Sequence, residues 1–179
     1  MSPFYASLEA GPEDVVVDVG CGTGDALRHL DTFAAYHGFD VDPGAIEFAR
    51  RTFGERPGVH FAGRVLEPRD LQDLRPTKIV LAGLLHHLDD ATAKRLLAMF
   101  ASSPSVQRII TQDVVLLPGE HVSNLLARLD RGNFVRRPGG YRALAEAAGL
   151  EVESARLMRS HPETGRARYF VMTLSRSSP

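Results

Sequence analysis

Continuous apolar runs of strand length alternate with amphipathic stretches over the first two thirds of the chain. Runs that are apolar throughout are typical of strands buried on both faces, as in a parallel sheet that helices cover. The amphipathic stretches have the period of helices. The pattern predicts strands at Val15–Val19, Tyr36–Val41, Val59–Ala62, Lys78–Gly83 and Val106–Val115, and helices at Asp25–Phe33, Pro43–Phe53 and Asp90–Phe100.

The last third of the chain has a different pattern. Two strand-like runs, Glu151–Ser160 and Ala167–Ser175, flank a turn-rich stretch and predict an antiparallel hairpin. Helices are expected at 122–130 and 139–148, and Gly149 ends the second of them. We interpret the segment 116–140 as an elaborated connection on the substrate side. The whole pattern predicts one α/β domain over residues 1–179, with a doubly wound, Rossmann-like, seven-stranded and mostly parallel sheet that ends in the hairpin.

The composition limits the location and the partners of the protein. Hydrophobic residues make up 44% and charged residues 24% of the chain, close to the globular average. The formal net charge is -1 and the basic pairs Arg50-Arg51 and Arg136-Arg137 are short, so nucleic acid is not an expected partner. Apolar runs fall well short of the ~20 residues of a membrane span. A single cysteine and the lack of a secretory-type leader predict a cytoplasmic protein.

Three alternating glycines follow the first predicted strand, at Gly20, Gly22 and Gly24. Glycines let a ligand approach the backbone closely, and the next helix presents free N–H groups, although many tight turns of this kind bind nothing. Asp40 lies near the end of the second predicted strand, about twenty residues later, where such folds place a carboxylate on ribose hydroxyls. Asp42 stands just before Pro43, and we therefore expect it to cap the following helix.

The spacing of the glycines distinguishes a dinucleotide from other adenosine-containing cofactors. A dinucleotide fingerprint needs a third glycine at the position of Asp25, where a carboxylate would face the pyrophosphate. The segment from Asp18 to Gly24 instead resembles motif I of class I S-adenosylmethionine-dependent methyltransferases. The stretches 38–43 and 81–90 are similar to that family's second motif and to its segment after the fourth strand, in the small-molecule type that contains Leu-His-His.

The resemblance implies a cofactor and a set of residues that hold it. In that family the loop glycines lie against the methionine part of S-adenosylmethionine, the first-strand acid positions the ammonium group, and the second-strand acid binds ribose. The resemblance thus assigns cofactor contacts to Asp18, Gly20, Cys21, Gly22, Gly24, Asp40, Val41, Arg64 and Val65, with Cys21 as a small filler.

One position departs from the family pattern. After the third strand the family commonly has an acid that accepts a hydrogen bond from adenine, but this chain has Arg64. An arginine has no acceptor, so its side chain would stack on the base or, as we slightly favour, point to solvent. The backbone of Val65 would then form the hydrogen bonds that recognise adenine.

Three residues are candidates for contact with the methyl acceptor: His86, Asp113 and Arg131. The stretch at His86 and His87 is interpreted as strand-like, so the two side chains diverge and only His86 is expected to reach substrate as a proton acceptor. Packing or capping of the next helix is the alternative, and such a pair is a poor chelate, so no metal site is predicted. Asp113 would face the pocket or cap a strand edge. Arg131 or Arg136 would hold an acidic substrate group or form a structural salt bridge.

The predicted function is methyl transfer from S-adenosylmethionine to a small molecule. The alternatives are a non-methylating enzyme that uses the same cofactor, such as one catalysing cyclisation or rearrangement, and a noncatalytic cofactor-binding partner module. Only fourteen residues precede Val15, so we expect the pocket to be closed by 116–140, by a second subunit of a homodimer, or by both.

Overall fold

The fold is that of a computed structural model, which describes residues 2–129, 132–159 and 167–177. Seven strands form one sheet in the order β3-β2-β1-β4-β5-β7-β6. The pairs of β1 with β2, β1 with β4 and β2 with β3 are parallel, and β6 and β7 are antiparallel. The strands are β1 (Val15–Val19), β2 (Ala35–Phe39), β3 (Val59–Ala62), β4 (Lys78–Ala82), β5 (Arg108–Val114), β6 (Leu150–Arg159) and β7 (Arg168–Arg176). The predicted fold class is therefore confirmed.

The helices alternate with these strands. They are α1 (Pro3–Ala6), α2 (Pro43–Phe53), α3 (Pro68–Leu74), α4 (Asp90–Ala101), α5 (His121–Leu129) and α6 (Pro138–Ala147), with short 3₁₀ helices at Asp25–Arg28 and Leu85–His87. Residues cluster into two compact units, one within 1–82 and 103–110 and the other within 83–102 and 111–179. In the first unit β1 and β4 are almost wholly buried, as their largely apolar sequence predicts.

The predicted helix Asp25–Phe33 is wrong in length and type. Only a 3₁₀ helix at Asp25–Arg28 forms. The guanidinium of Arg56 donates hydrogen bonds to the carbonyls of Leu27 and Leu30, which would otherwise accept from the next helical turn. The same guanidinium lies 4.6 Å from the centre of the Phe33 ring. A side chain distant in sequence therefore ends this helix early.

Two helices of the first unit are not predicted from the pattern. In α1, Phe4 is buried, and so is Leu8 just after it. In α3 the backbone N–H of Glu67 donates to Asp70 across the first turn. Both helices are too short for a periodic pattern to be recognised, although each has a proline in its first turn.

The second unit contains the predicted hairpin. Strands β6 and β7 pair from Leu150 opposite Arg176 to Arg159 opposite Arg168, with a register shift between Val152 and Ser154. The predicted turn at 161–165 lies outside the described residues. Gly149 has a φ of 82° just after α6, which is the left-handed conformation that ends many helices.

Candidate functional site

The glycine turn leads from β1 into the 3₁₀ helix at Asp25–Arg28. The backbone N–H groups of Gly20 and Cys21 both donate to the carbonyl of Phe39, at 2.8 and 3.1 Å. Gly22 and Gly24 have φ values of 50° and 79°, a region that side chains disfavour. A Cβ at Gly22 would meet nothing within 4 Å, whereas one at Gly24 would press on two phenylalanine rings at 3.2 Å. The turn is thus packed on one side and open at Gly22.

Asp18 lies at the end of β1 and is 2% exposed. Its Oδ2 accepts a 2.6 Å hydrogen bond from the hydroxyl of Tyr36. Its Oδ1 is buried and has no hydrogen-bond partner among residues 2–129, 132–159 and 167–177. Burial raises the pKa of Asp18 to about 7, against the lowering effect of the Tyr36 hydrogen bond and with smaller contributions from Asp40 and Asp25. A buried carboxylate oxygen of this kind is a site for a hydrogen-bond donor, and a cationic donor fits it best.

Asp40 follows β2 and holds the glycine turn. Its Oδ2 accepts from the backbone N–H of Gly22 at 2.8 Å, and its Oδ1 accepts from that of Asp42 at 2.9 Å. Each carboxylate oxygen has a second lone pair, so both can accept again. Asp42 caps α2 by accepting from Gly44 and Ala45, as predicted. Val41, between the two acids, is 68% exposed.

Cys21 is buried within the turn, and its Sγ packs at the position where Gly38 has no side chain. A Cβ at Gly38 would approach that sulfur to 2.8 Å. Burial raises the pKa of the thiol, and the neighbouring carboxylates Asp18 and Asp40 raise it further. The side chain is therefore a protonated filler rather than a reactive thiolate.

The side chain of Arg64 does not point freely to solvent, and that expectation is wrong. Its guanidinium makes two hydrogen bonds of 2.7 and 2.6 Å to Asp70 and lies 5.1 Å from the centre of the Phe39 ring. The hydrogen bonds from Arg64 are the largest cause that lowers the pKa of Asp70. Val65 is 62% exposed beside this pair. Sequence reasoning missed Asp70 because α3 was not predicted.

In the second unit, the structure brings together two residues that the sequence singled out separately, His86 and Asp113. Oδ1 of Asp113 lies 2.8 Å from Nδ1 of His86 and also accepts from its backbone N–H at 3.1 Å. The two residues are 3% and 1% exposed, and Oδ2 of Asp113 has no hydrogen-bond partner among the described residues. Asp113 is therefore buried and is bonded to both the ring and the backbone of His86.

The segment around His86 is a 3₁₀ helix, Leu85–His87, and the strand-like interpretation is wrong. The rings of His86 and His87 do not diverge, since their centres are 4.2 Å apart. A Cβ at Gly132 would collide with the ring of His86, and the N–H of Phe134 donates to the carbonyl of His86. The chain at 132–134 is thus packed on His86.

Arg136 holds in place the segment 132–134 that packs on His86, which we call the covering segment. Its Nε and Nη2 bind Asp90, its Nη1 binds the carbonyls of Leu85 and Phe134, and Nη2 also binds the carbonyl of Leu88. These bonds use all five N–H groups of the guanidinium. Of the two alternatives for Arg136, the structural salt bridge is the one observed. Arg131 lies outside the described residues.

Helix α5 has one anchored face and one exposed face. Ser123 and Ala127 are buried, and Asn124 makes two 2.8 Å hydrogen bonds to the backbone of Leu117. The exposed face is apolar and follows the helical period, with Val122, Leu125, Leu126 and Leu129 between 40% and 71% exposed.

Sequence reasoning missed two further site residues, Tyr36 and Gly132. Tyr36 looks like an ordinary strand residue, and only the pairing of β2 with β1 brings its hydroxyl to Asp18. Gly132 could have been suspected as an isolated glycine within 116–140, but its neighbour His86 is distant in sequence. Both depend on contacts that the periodicity does not encode.

Comparison with known proteins identifies a matching family model and similar folds. A family model described as a methyltransferase domain matches residues 17–103. No curated protein sequence matches the chain. Among the described helices, none is both long and apolar enough to cross a membrane.

Solved structures with the same fold include several methyltransferases. A SAM-dependent methyltransferase from Methanosarcina mazei is 15% identical over 100% of this chain and 99% of its own, with a TM-score of 0.74. Magnesium protoporphyrin IX methyltransferase from Synechocystis, with bound SAH, is 17% identical over 97% and 80%, with a TM-score of 0.68. Human N-acetylserotonin methyltransferase, with SAM, is 16% identical over 98% and 51%, with a TM-score of 0.71. The chain has the fold of these enzymes.

Proposed function

We propose that the chain is a class I S-adenosylmethionine-dependent methyltransferase that acts on a small-molecule acceptor. One observation carries the proposal: Oδ1 of Asp18 is buried without a hydrogen-bond partner among the described residues, beside a glycine turn that is open at Gly22. An amino-acid ammonium group would give that oxygen a charge-assisted hydrogen bond. The match of residues 17–103 to a methyltransferase domain supports the same cofactor.

The first unit would bind the cofactor through residues with different tasks. Asp18 would receive the ammonium group, and the turn with Gly20, Gly22 and Gly24 would let the ligand approach the backbone. Asp40 would bind the ribose hydroxyls with the lone pairs that Gly22 and Asp42 leave unused. Cys21 would fill the turn from inside without reacting, because its thiol is buried.

The adenine base of the cofactor would be held by apolar contacts and by hydrogen bonds to the backbone. Val41 and Val65 are both well exposed, and they would offer apolar surface to adenine. Arg64 is held by Asp70 and is 41% exposed along its side chain, so its flat guanidinium would border the base while the backbone of Val65 hydrogen-bonds it. Asp70 would be a positioning residue for Arg64.

Methyl transfer is an in-line displacement, so most of the task of the protein is to hold and align the reactants. When bound, S-adenosylmethionine supplies an electrophilic methyl group on a sulfonium. His86 would accept the proton of a hydroxyl or amine acceptor. Oδ1 of Asp113 lies 2.8 Å from Nδ1 of His86, so Asp113 would orient the ring and set its tautomer. Because Gly132 covers the ring, the segment at 132–134 would have to move to admit an acceptor.

The segment 116–140 would contact the acceptor. The exposed apolar face of α5, formed by Val122, Leu125, Leu126 and Leu129, favours an acceptor with apolar surface. Arg131 would hold an acidic group if the acceptor has one, and Arg131→Ala would then raise the acceptor KM without altering cofactor affinity.

The decisive experiment identifies the acceptor. The purified chain is incubated with cell extract and isotopically methyl-labelled S-adenosylmethionine, and labelled products are found by mass spectrometry, with Asp18→Asn as the matched control. We expect a labelled small molecule, formed together with S-adenosylhomocysteine, and a loss of both in the control. Cofactor binding without labelled product over a broad range of extracts would favour a binding module instead.

Kinetics with the purified acceptor then test whether His86 accepts the proton. His86→Gln should lower kcat more than it raises KM, and Asp113→Asn should shift the pH dependence of kcat because it no longer fixes the tautomer. An unchanged kcat and pH profile in both variants would assign the pair to packing alone.

A further inference from the structure

His37 and His60 form a pair on the neighbouring strands β2 and β3. They are directly opposite each other in the parallel register of β2 and β3. Strands lie about 4.8 Å apart, and opposite residues project from the same face of the sheet. The two imidazole rings are 5.0 Å apart between centres, with an angle of 23° between their planes.

The surroundings of the pair keep His37 available as a ligand. His37 is half-buried and His60 is exposed, so an ion can reach the pair from solvent. Burial, with a further contribution from His60, lowers the pKa of His37. A neutral imidazole is the form that binds metals.

We propose that His37 and His60 form a two-histidine site for a divalent transition-metal ion. Each imidazole would bind through one nitrogen at about 2.0–2.1 Å, which places the two nitrogens at most about 4 Å apart on one ion. The ring centres are 5.0 Å apart, so each ring would rotate about its Cβ–Cγ bond to bring the two nitrogens to that separation. In the described parts of the chain no cluster of three or more His, Cys, Asp or Glu side chains suits a metal, so water completes the coordination.

The chemistry of the ligands sets the order of affinities. Imidazole suits copper, nickel and zinc, and Cu²⁺ has the highest affinity of the divalent ions in this series. A bound ion would join β2 to its neighbour β3 and would stabilise the native state, since the unfolded chain does not hold the two rings together.

Titration of the untagged full chain with Cu²⁺ by calorimetry, in a buffer that does not chelate, tests the site. The variants are His37→Gln and His60→Gln, and the control is His121→Gln, an exposed histidine on α5. We expect one Cu²⁺ per chain with two nitrogen ligands in its electron paramagnetic resonance spectrum. Loss of either partner should weaken binding by about 100-fold, because the second ligand acts at high effective concentration.

Three results would overturn the site. The first is that the wild type does not bind Cu²⁺. The second is that His60→Gln binds Cu²⁺ as tightly as the wild type. The third is that His121→Gln loses as much Cu²⁺ affinity as the two site variants. His60 is exposed, so its substitution leaves the core intact, and a circular dichroism melt of each apo variant verifies this.

Discussion

The backbone N–H of Gly22 donates a 2.8 Å hydrogen bond to Oδ2 of Asp40. The carboxylate that follows β2 therefore shapes the glycine turn that follows β1. The other oxygen of Asp40 accepts from the N–H of Asp42, which itself caps α2. The two neighbouring acids thus have different tasks: Asp40 holds the glycine turn and Asp42 caps α2.

Substitution of Asp40 should mainly change cofactor affinity, and substitution of Asp42 should mainly change the stability of the fold. Asp40→Ala should weaken S-adenosylhomocysteine binding by about 2 kcal/mol, because charge-assisted bonds to ribose and the support of Gly22 are lost. Asp42→Ala should lower the free energy of unfolding by about 1 kcal/mol with little change in affinity, as a lost N-cap does. Calorimetric titrations and thermal melts measure both. The opposite pattern would mean that Asp42 faces the ligand.

The sequence predicted the sheet well because most of its strands are largely apolar runs that differ clearly from the polar segments between them. Val15–Val19, Val59–Ala62 and Pro43–Phe53 were predicted to the residue. Errors occurred where a contact between two segments decides local structure. Arg56 shortens the helix after the glycine turn, Asp70 holds Arg64, and Gly132 packs on His86. None of these contacts leaves a periodic signal in the sequence.

Cofactor affinity should depend on pH through Asp18. The pKa of Asp18 is raised to about 7, mainly by burial, so the free protein is increasingly protonated there below pH 7. Only the ionised form attracts the ammonium group of S-adenosylhomocysteine strongly. We expect the dissociation constant to rise as pH falls below 7, approaching about tenfold per pH unit.

Asp18→Asn is the control for this pH dependence, because it keeps an acceptor for Tyr36 and cannot ionise. Its affinity should be weak and nearly constant between pH 5 and 8 by titration calorimetry. If the wild type is as insensitive to pH as this variant, Asp18 does not bind the ammonium group.

The same substitution should stabilise the ligand-free protein at alkaline pH. The folded pKa of Asp18 lies above the ordinary value, so the native state holds a proton that the unfolded state has already released. Stability from this group is therefore lost as pH rises from about 4 to 7. We expect Asp18→Asn to melt above the wild type at pH 8, with a much smaller difference at pH 5. If Asp18→Asn melts below the wild type at pH 8, the ionised carboxylate of Asp18 does not destabilise the native state.

Arg136 should contribute strongly to stability. All five of its N–H groups are bonded, and its side chain is only 10% exposed. Arg136→Gln should reduce the free energy of unfolding by about 3 kcal/mol, since several carbonyls and Asp90 lose their donors. Arg137→Gln, next in sequence and exposed, is the matched control and should change it by less than about 0.5 kcal/mol. Equal melting curves for the two variants would show that the covering segment is not fixed by Arg136.

The choice of cofactor rests on Asp18 and on Asp25, which occupies the position of the third dinucleotide glycine. Titration calorimetry of the wild-type chain with S-adenosylhomocysteine and, separately, with NAD tests it most directly. The account predicts one S-adenosylhomocysteine per chain and no binding heat with NAD. Binding of NAD as tight as that of S-adenosylhomocysteine, or no binding of S-adenosylhomocysteine, would contradict it.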